Sequence, residues 1–139
     1  MMPGYLQRLI RVAEAAARVY SCNFKMIESS LSFEDFQKVE IKIGTVLEAR
    51  LNEKARNPAY VLKIDFGEKT GVKTTSAQLT ENYQPQDLVG KQVSAVMNFP
   101  PLRIAGVKSE VLVLAGVCEQ NGTVLLHPSK PVDNGTHVA

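Results

Sequence analysis

Residues 39–51 read Val39-Glu40-Ile41-Lys42-Ile43-Gly44-Thr45-Val46-Leu47-Glu48-Ala49-Arg50-Leu51. Val39, Ile41, Ile43, Leu47, Ala49 and Leu51 share one parity, and Glu40, Lys42, Glu48 and Arg50 take the other. Alternation with a period of two is the signature of an extended chain, so the stretch predicts a long strand with one buried and one wet face. Gly44 is expected to mark a bulge or bend. Downstream, a polar loop over residues 52–58 leads to a second alternating run, in which Leu62, Ile64 and Phe66 oppose Lys63 and Asp65. Lys69-Thr70-Gly71 reads as a turn, residues 72–76 as a third strand, and residues 77–83 as a short helix that stops before Pro85. Val93, Ala95 and Met97 predict a fourth strand, and residues 111–117 are apolar on both parities, as in a strand buried on both sides. Residues 124–126 give a last short strand after the Asn121-Gly122 turn, and upstream Ser32, followed by Glu34 and Asp35, caps one helical turn. The expectation is an all-β protein: a small closed barrel, best matched by a five-stranded OB-fold Greek-key barrel with a short helix between strands three and four.

The chain has 139 residues and a mass of 15.3 kDa, enough for one domain with a single core. The expected division is a helical extension over 1–30 and the barrel over 31–139. With 45% hydrophobic and 22% charged residues, the composition is that of a soluble globular protein. The longest run without a polar side chain covers residues 111–118, far short of the roughly 20 needed to cross a bilayer as a helix, so no membrane span is expected. Cys22 and Cys118 are the two cysteines; a chain of this size needs no disulfide, which favours a reducing, cytoplasmic setting.

Charge is unevenly placed. Residues 1–30 hold Arg8, Arg11, Arg18 and Lys25 against Glu14 and Glu28, whereas the rest of the chain is balanced. A neutral body lacks the basic footprint of a nonspecific nucleic-acid binder, so any such binding must come from a local patch. Leu6, Leu9, Ile10, Ala13, Ala16, Ala17 and Tyr20 recur at helical spacing and predict a basic amphipathic helix packed on its own protein. Charges at 8, 11, 14 and 18 interrupt any secretory signal. An organelle transit peptide, a helix lying on a membrane surface, and a translation start at Met26 are the alternatives for this segment.

Signatures of catalysis are scarce. His127 and His137 are the only histidines, and neither has a second ligand at metal-binding spacing. Nucleophile elbows, phosphate-binding glycine loops and Cys-x-x-Cys pairs are absent. Cys118 reads as a buried inert thiol and Asp65 and Glu68 as solvated charges, so no enzyme, cofactor or metal is expected. The unusual stretch is Asn98-Phe99-Pro100-Pro101-Leu102-Arg103-Ile104-Ala105-Gly106-Val107-Lys108-Ser109-Glu110, longer than a hairpin connection needs. A shaped binding loop is expected, in which Arg103 and Lys108 meet phosphate, Asn98 donates and accepts, and Phe99 offers a ring to a base or an apolar side chain. The opposing reading makes Phe99 and Ile104 core plugs and Arg103 a solvated charge. Lys73 and Gln78 are further ligand candidates, Thr75 or Ser76 reads as a helix cap, and Lys42 lies on the wet parity of the first strand.

Lys42-Ile43-Gly44-Thr45-Val46, Ile64-Asp65-Phe66-Gly67, Ser76-Ala77-Gln78-Leu79-Thr80, Asn98-Phe99-Pro100-Pro101, Ile104-Ala105-Gly106 and Lys108-Ser109-Glu110-Val111-Leu112-Val113-Leu114 together resemble the tRNA-binding OB-fold domains, and within them the free-standing CsaA proteins. The wider family carries His-Pro-x-Ala-Asp-x-Leu after the first strand, where this chain reads Asn52-Glu53-Lys54-Ala55-Arg56-Asn57-Pro58-Ala59-Tyr60, and Ser-x-Gly-Met where it reads Ser109-Glu110-Val111-Leu112. Both departures favour the CsaA type over synthetase-linked members. The resemblance implies a non-catalytic homodimer, paired through residues 31–38 and 124–138, that binds tRNA or similar structured RNA. Its RNA-binding loop would be Asn98, Lys108, Ser109 and Glu110, with Lys42, Lys73 and Gln78 as neighbours. It also implies an alternative role as an export-related chaperone for extended or preprotein polypeptide, with Phe99 and Ile104 in the peptide pocket.

Overall fold

A computed structural model describes residues 30–139; the amphipathic helix expected over 6–20, Met26 and most of the 1–30 extension lie outside the described residues. The chain divides into a unit ending at Lys38 and a unit spanning Val39–Ala139. In the first, helix α1 (Phe33–Gln37) begins as the sequence predicts: the Asp35 N–H donates to Ser32 Oγ at 3.1 Å. The Lys38 ammonium bonds the Asp35 carboxylate at 3.0 Å, and together with the Ser32 hydroxyl it holds that carboxyl below its ordinary pKa.

The second unit contains strands β1 (Ile41–Leu51), β2 (Tyr60–Asp65) and β3 (Val72–Ala77), helix α2 (Pro85–Leu88), and strands β4 (Gln92–Val96), β5 (Leu102–Ile104), β6 (Val107–Ser109), β7 (Leu112–Val113), β8 (Ala115–Cys118) and β9 (Gly122–Leu125). Five strands form one antiparallel sheet in the order β3-β2-β1-β4-β7. Three consecutive strands pair as a meander and the fourth returns beside the first, which is the Greek-key order. The sheet curls until β3 meets the segment carrying β6 and β7. There the Thr75 hydroxyl, 1% exposed, donates to the Val111 carbonyl at 2.6 Å. The result is the expected all-β, nearly closed five-stranded barrel. Its core gathers Val46, Leu62, Ile64, Phe66, Leu79, Leu88, Val93 and Val111.

The long first strand departs from simple alternation. Val46 pairs with Ile64 but Glu48 with Lys63, so Leu47 is the extra residue of a bulge. Leu47 and Leu51, expected inside, are exposed, whereas Val46 is buried in the core. Before the bulge both faces of β1 are covered. Val46 and Gly44 face the core, while Ile41 and Ile43 share their outward face with Val96 and Ser94, all four buried outside the main cluster. The C-terminal segment straps this end: Gly135 N–H donates to the Ile43 carbonyl at 2.7 Å and Val138 N–H to that of Ile41 at 2.9 Å. Gly44 is therefore not the bulge. A Cβ there would stand 2.7 Å from Ile64 Cγ2 and from Phe66 Cδ1, so the glycine permits the close approach of two core side chains.

Four further expectations are corrected. The helix between β3 and β4 exists, but it begins at Pro85 instead of ending before it, because proline suits the first helical position, where no N–H bond is lost. The Gln84 N–H is capped by Asp87 Oδ2 at 2.9 Å, and Leu88, fully buried, plugs the barrel. Thr75 and Ser76 accordingly cap nothing and belong to β3. Residues 111–117 are not one strand: the chain bends at Leu114, whose N–H donates to the Ser94 carbonyl at 2.9 Å, and Leu112 is exposed. Cys118, expected to be buried, is exposed at the end of β8.

Among the described residues no helix is long and apolar enough to cross a membrane.

Candidate nucleic-acid interface

Residues 98–110 form a hairpin arm instead of an open loop. Met97 and Asn98 fix its root: the Met97 N–H donates to the Glu40 carbonyl at 2.7 Å, and the Glu40 N–H donates to Asn98 Oδ1 at 3.0 Å. Pro100 and Pro101 lack the N–H groups that would extend β4, so the chain leaves the barrel there. It then pairs with itself, Leu102 opposite Ser109, Arg103 opposite Lys108 and Ile104 opposite Val107. The two turn residues, Ala105 and Gly106, have φ of 48° and 81°, as the tight hairpin turn that matches strand twist requires. Ala105 is the only non-glycine residue with positive φ among the described residues.

The arm is clasped to β3 at its far root. Glu110 makes a two-way connection with Thr74: its N–H donates to the Thr74 carbonyl, and its carboxylate accepts from the Thr74 N–H, both at 2.8 Å. The Ser109 and Thr75 hydroxyls meet at 2.9 Å. Ser109, Ile104 and Leu102 therefore lie on the arm face turned toward the barrel, and Arg103 and Lys108, of the opposite parity, on the face turned away.

That outer face has an electrostatic cost. Like charges directly opposite each other on neighbouring strands repel. Neither Arg103 nor Lys108 has a carboxylate partner among the described residues, and the sole bond of Arg103 runs from Nη1 to the Gly106 carbonyl at 3.4 Å. Phe99 is 54% and Leu102 65% exposed, so neither is a core plug; Ile104 is half-buried.

The other expected site residues divide. Lys42 belongs with the root of the arm: its Nζ bonds Thr70 Oγ1 at 3.0 Å and lies 3.3 Å from a Glu40 carboxylate oxygen, so its charge is partly spent inside the protein. Lys73 is half-buried opposite Ile64 on β3, and Gln78 half-buried just beyond the other end of that strand. Five residues of extended chain separate these two by roughly 17 Å, so they cannot serve one contact. Ser109 and Glu110 face Thr75 and Thr74 as structural fastenings. Sequence reasoning misses Thr70, Thr74 and Thr75, whose roles depend on pairings between distant segments that no local pattern announces. Among the described residues no cluster of His, Cys, Asp and Glu is placed to hold a metal ion.

The family model described as "Putative tRNA binding domain" matches residues 41–137. The chain belongs to this family. Its fold superposes on the chaperone CsaA of Bacillus anthracis with a TM-score of 0.75 and 49% identity, over 80% of this chain and 100% of that one. The CsaA chaperone protein of Picrophilus torridus gives a TM-score of 0.74 and 41% identity, over 78% and 99%. The methionine–tRNA ligase of Methanococcoides burtonii is 37% identical over 106 residues, which are 76% of this chain and 15% of the ligase. This tRNA-binding domain thus spans about 15% of the length of the ligases it matches and nearly the whole of the CsaA proteins. The resemblance read from the sequence holds, both in family and in barrel fold.

Proposed function

We propose that the protein is a non-catalytic binding module for tRNA or tRNA-like structured RNA, and that the arm carries the contact. The observation behind this reading is the unpartnered Arg103–Lys108 pair, held on a fastened hairpin of a barrel whose charges balance overall. Two apposed cations without carboxylates make a site for a phosphate, which relieves their repulsion. Family membership and the ligase relatives point to tRNA as the RNA. Phe99, exposed at the root of the arm, adds a ring for an unstacked base. Fluorescence-anisotropy titration of unmodified tRNA tests the reading. Affinity should fall as salt rises, and Lys108→Ala should weaken it about tenfold, the loss of one charge-assisted bond. No binding at low salt would exclude RNA as the ligand.

A second reading rests on the exposed Phe99 and Leu102 together with the CsaA neighbours, which bear the name of chaperones. On it the arm holds extended apolar polypeptide, with affinity that tolerates salt and collapses in Phe99→Ala. A salt series with an extended apolar peptide beside that with tRNA separates the readings, because only the RNA contact is screened by salt.

A homodimer is also part of the proposal. Leu31 and Phe33 in the first unit, and Val124, Leu126 and Val132 in the second, are exposed apolar side chains in the segments expected to pair. Sedimentation at micromolar concentration should give twice 15.3 kDa, and a 15.3 kDa species would contradict it.

A further inference from the structure

Lys54 lies in the loop between β1 and β2, far in sequence from the arm, yet it reaches the arm's tip. A Cβ placed on Gly106 would stand 3.5 Å from Lys54 Cδ and 3.9 Å from its Nζ. The ammonium therefore hangs over the hairpin turn, in no ion pair among the described residues. We propose that Lys54 joins Arg103 and Lys108 in a three-cation clamp for the phosphodiester backbone of RNA, centred on the tip of the arm and outside the barrel's concave face. The inference rests on the RNA reading above and specifies where and by which groups the backbone is held.

Three local features support it. The loop is stapled, so Lys54 is presented and not merely tethered. Asn52 is 6% exposed, its Oδ1 accepts from the Lys54 N–H at 3.1 Å, its carbonyl accepts from the Ala55 N–H at 3.2 Å, and its N–H donates to the Ala59 carbonyl at 2.9 Å. Preorganised cations bind anions without a further ordering cost.

The tip itself is bare. Ala105 and Gly106 offer nothing larger than a methyl group, so a phosphate can approach the turn amides. Alanine adopts a left-handed conformation there that asparagine or glycine would take with less strain, and such strain tends to be kept at functional positions.

Finally, unfavourable features are concentrated at this end of the fold. The apposed Arg103 and Lys108, the positive φ of Ala105 and the buried Asn52 Nδ2, which has no hydrogen-bond partner, all lie in the arm or in the loop that meets it. A fold optimised for stability alone would not keep them together. Arg56 adds a further cation to the loop and Glu53 one anion, so the loop's net sign remains positive.

The test is a salt series of tRNA titrations on the full chain with wild type, Lys54→Ala, Lys54→Arg, Lys63→Ala, the double Arg103→Ala/Lys108→Ala and the triple Lys54→Ala/Arg103→Ala/Lys108→Ala variant. Removing one cation that neutralises a phosphate should reduce the slope of log affinity against log salt by about 0.7–0.9, so Lys54→Ala should lower it by one such step and the triple variant by about 2–3. Lys54→Arg should restore both slope and affinity, and Lys63→Ala, which removes an exposed cation already paired with Glu48, should leave the slope unchanged. Thermal melts of each variant confirm the fold, and the triple variant should melt no lower than wild type, because deleting like charges relieves repulsion. Wild-type slope and affinity in Lys54→Ala, alongside a reduced slope in Arg103→Ala/Lys108→Ala, would overturn the clamp and leave the RNA reading standing. Absence of tRNA binding by wild type at low salt would remove both.

Discussion

Glu110→Ala should lower the midpoint of thermal unfolding by roughly 10 °C, the effect of about 2 kcal/mol in a domain of this size. Its carboxylate is the acceptor for the Thr74 N–H at the edge of β3, where the barrel closes. A hydrogen bond with a charged partner contributes about 1.5–3 kcal/mol, and its loss leaves the strand edge with an unmet donor. Glu110→Gln keeps an acceptor oxygen in the same place and should give back most of the stability. The pair of variants also decides what Glu110 does. As a fastening that positions the arm, it should let Glu110→Gln bind tRNA nearly as well as wild type. As a residue that touches RNA through its negative charge, which is how the family resemblance reads it, it should lose affinity in Glu110→Gln without losing stability. Glu110→Ala melting with wild type would contradict the fastening.

Gly44→Ala should be still more damaging, by about 3 kcal/mol, at the upper end of the roughly 1–3 kcal/mol that overpacking a core costs. The added methyl would stand 2.7 Å from both Ile64 Cγ2 and Phe66 Cδ1, and 2.8 Å from Phe66 Cε1. Neither neighbour can give way, since Ile64 is fully buried and Phe66 is 1% exposed. Nor can β1 shift, because β2 and β4 pair with it on both sides. Phe66→Leu should be destabilising alone but should recover part of the loss when combined with Gly44→Ala, as coupled neighbours do. Additive effects in the double variant, measured by denaturant unfolding, would show that Gly44 is not the point of contact.

The architecture is legible in the sequence because a strand's period is local. Leu62, Ile64 and Phe66 alternate with Lys63 and Asp65, and the structure buries the first three in the core. The Ser32 cap is equally readable, since its partner Asp35 is three residues away. Errors arise where one residue type serves two structural purposes. Pro85 reads as a helix stop and is a helix start, and Gly44 reads as a bend and is a packing gap. The bulge at Leu47 reverses the parity of β1, and nothing in the composition of residues 46–48 announces it.

The arm's position is visible in the sequence but its form is not. Pairing of Arg103 with Lys108 depends on the turn at Ala105 and Gly106, and an alanine with positive φ is a poor signal of such a turn. The internal contacts of the other expected ligand residues are hidden from the sequence for a similar reason. Asn98, Ser109 and Glu110 stand close to the cations in sequence, whereas their side chains bond Glu40, Thr75 and Thr74 in distant segments. No sequence pattern singles out Lys54, because its nearness to Gly106 exists only after the barrel closes.

Amide chemical-shift mapping of the nitrogen-15-labelled protein, followed as unmodified tRNA is added, locates the bound RNA residue by residue. Shifts should concentrate at Arg103, Ala105, Gly106, Lys108 and Lys54 and leave β8 and β9 unmoved. A set of shifts centred on those two strands, with the arm silent, would contradict the placement of RNA on the arm.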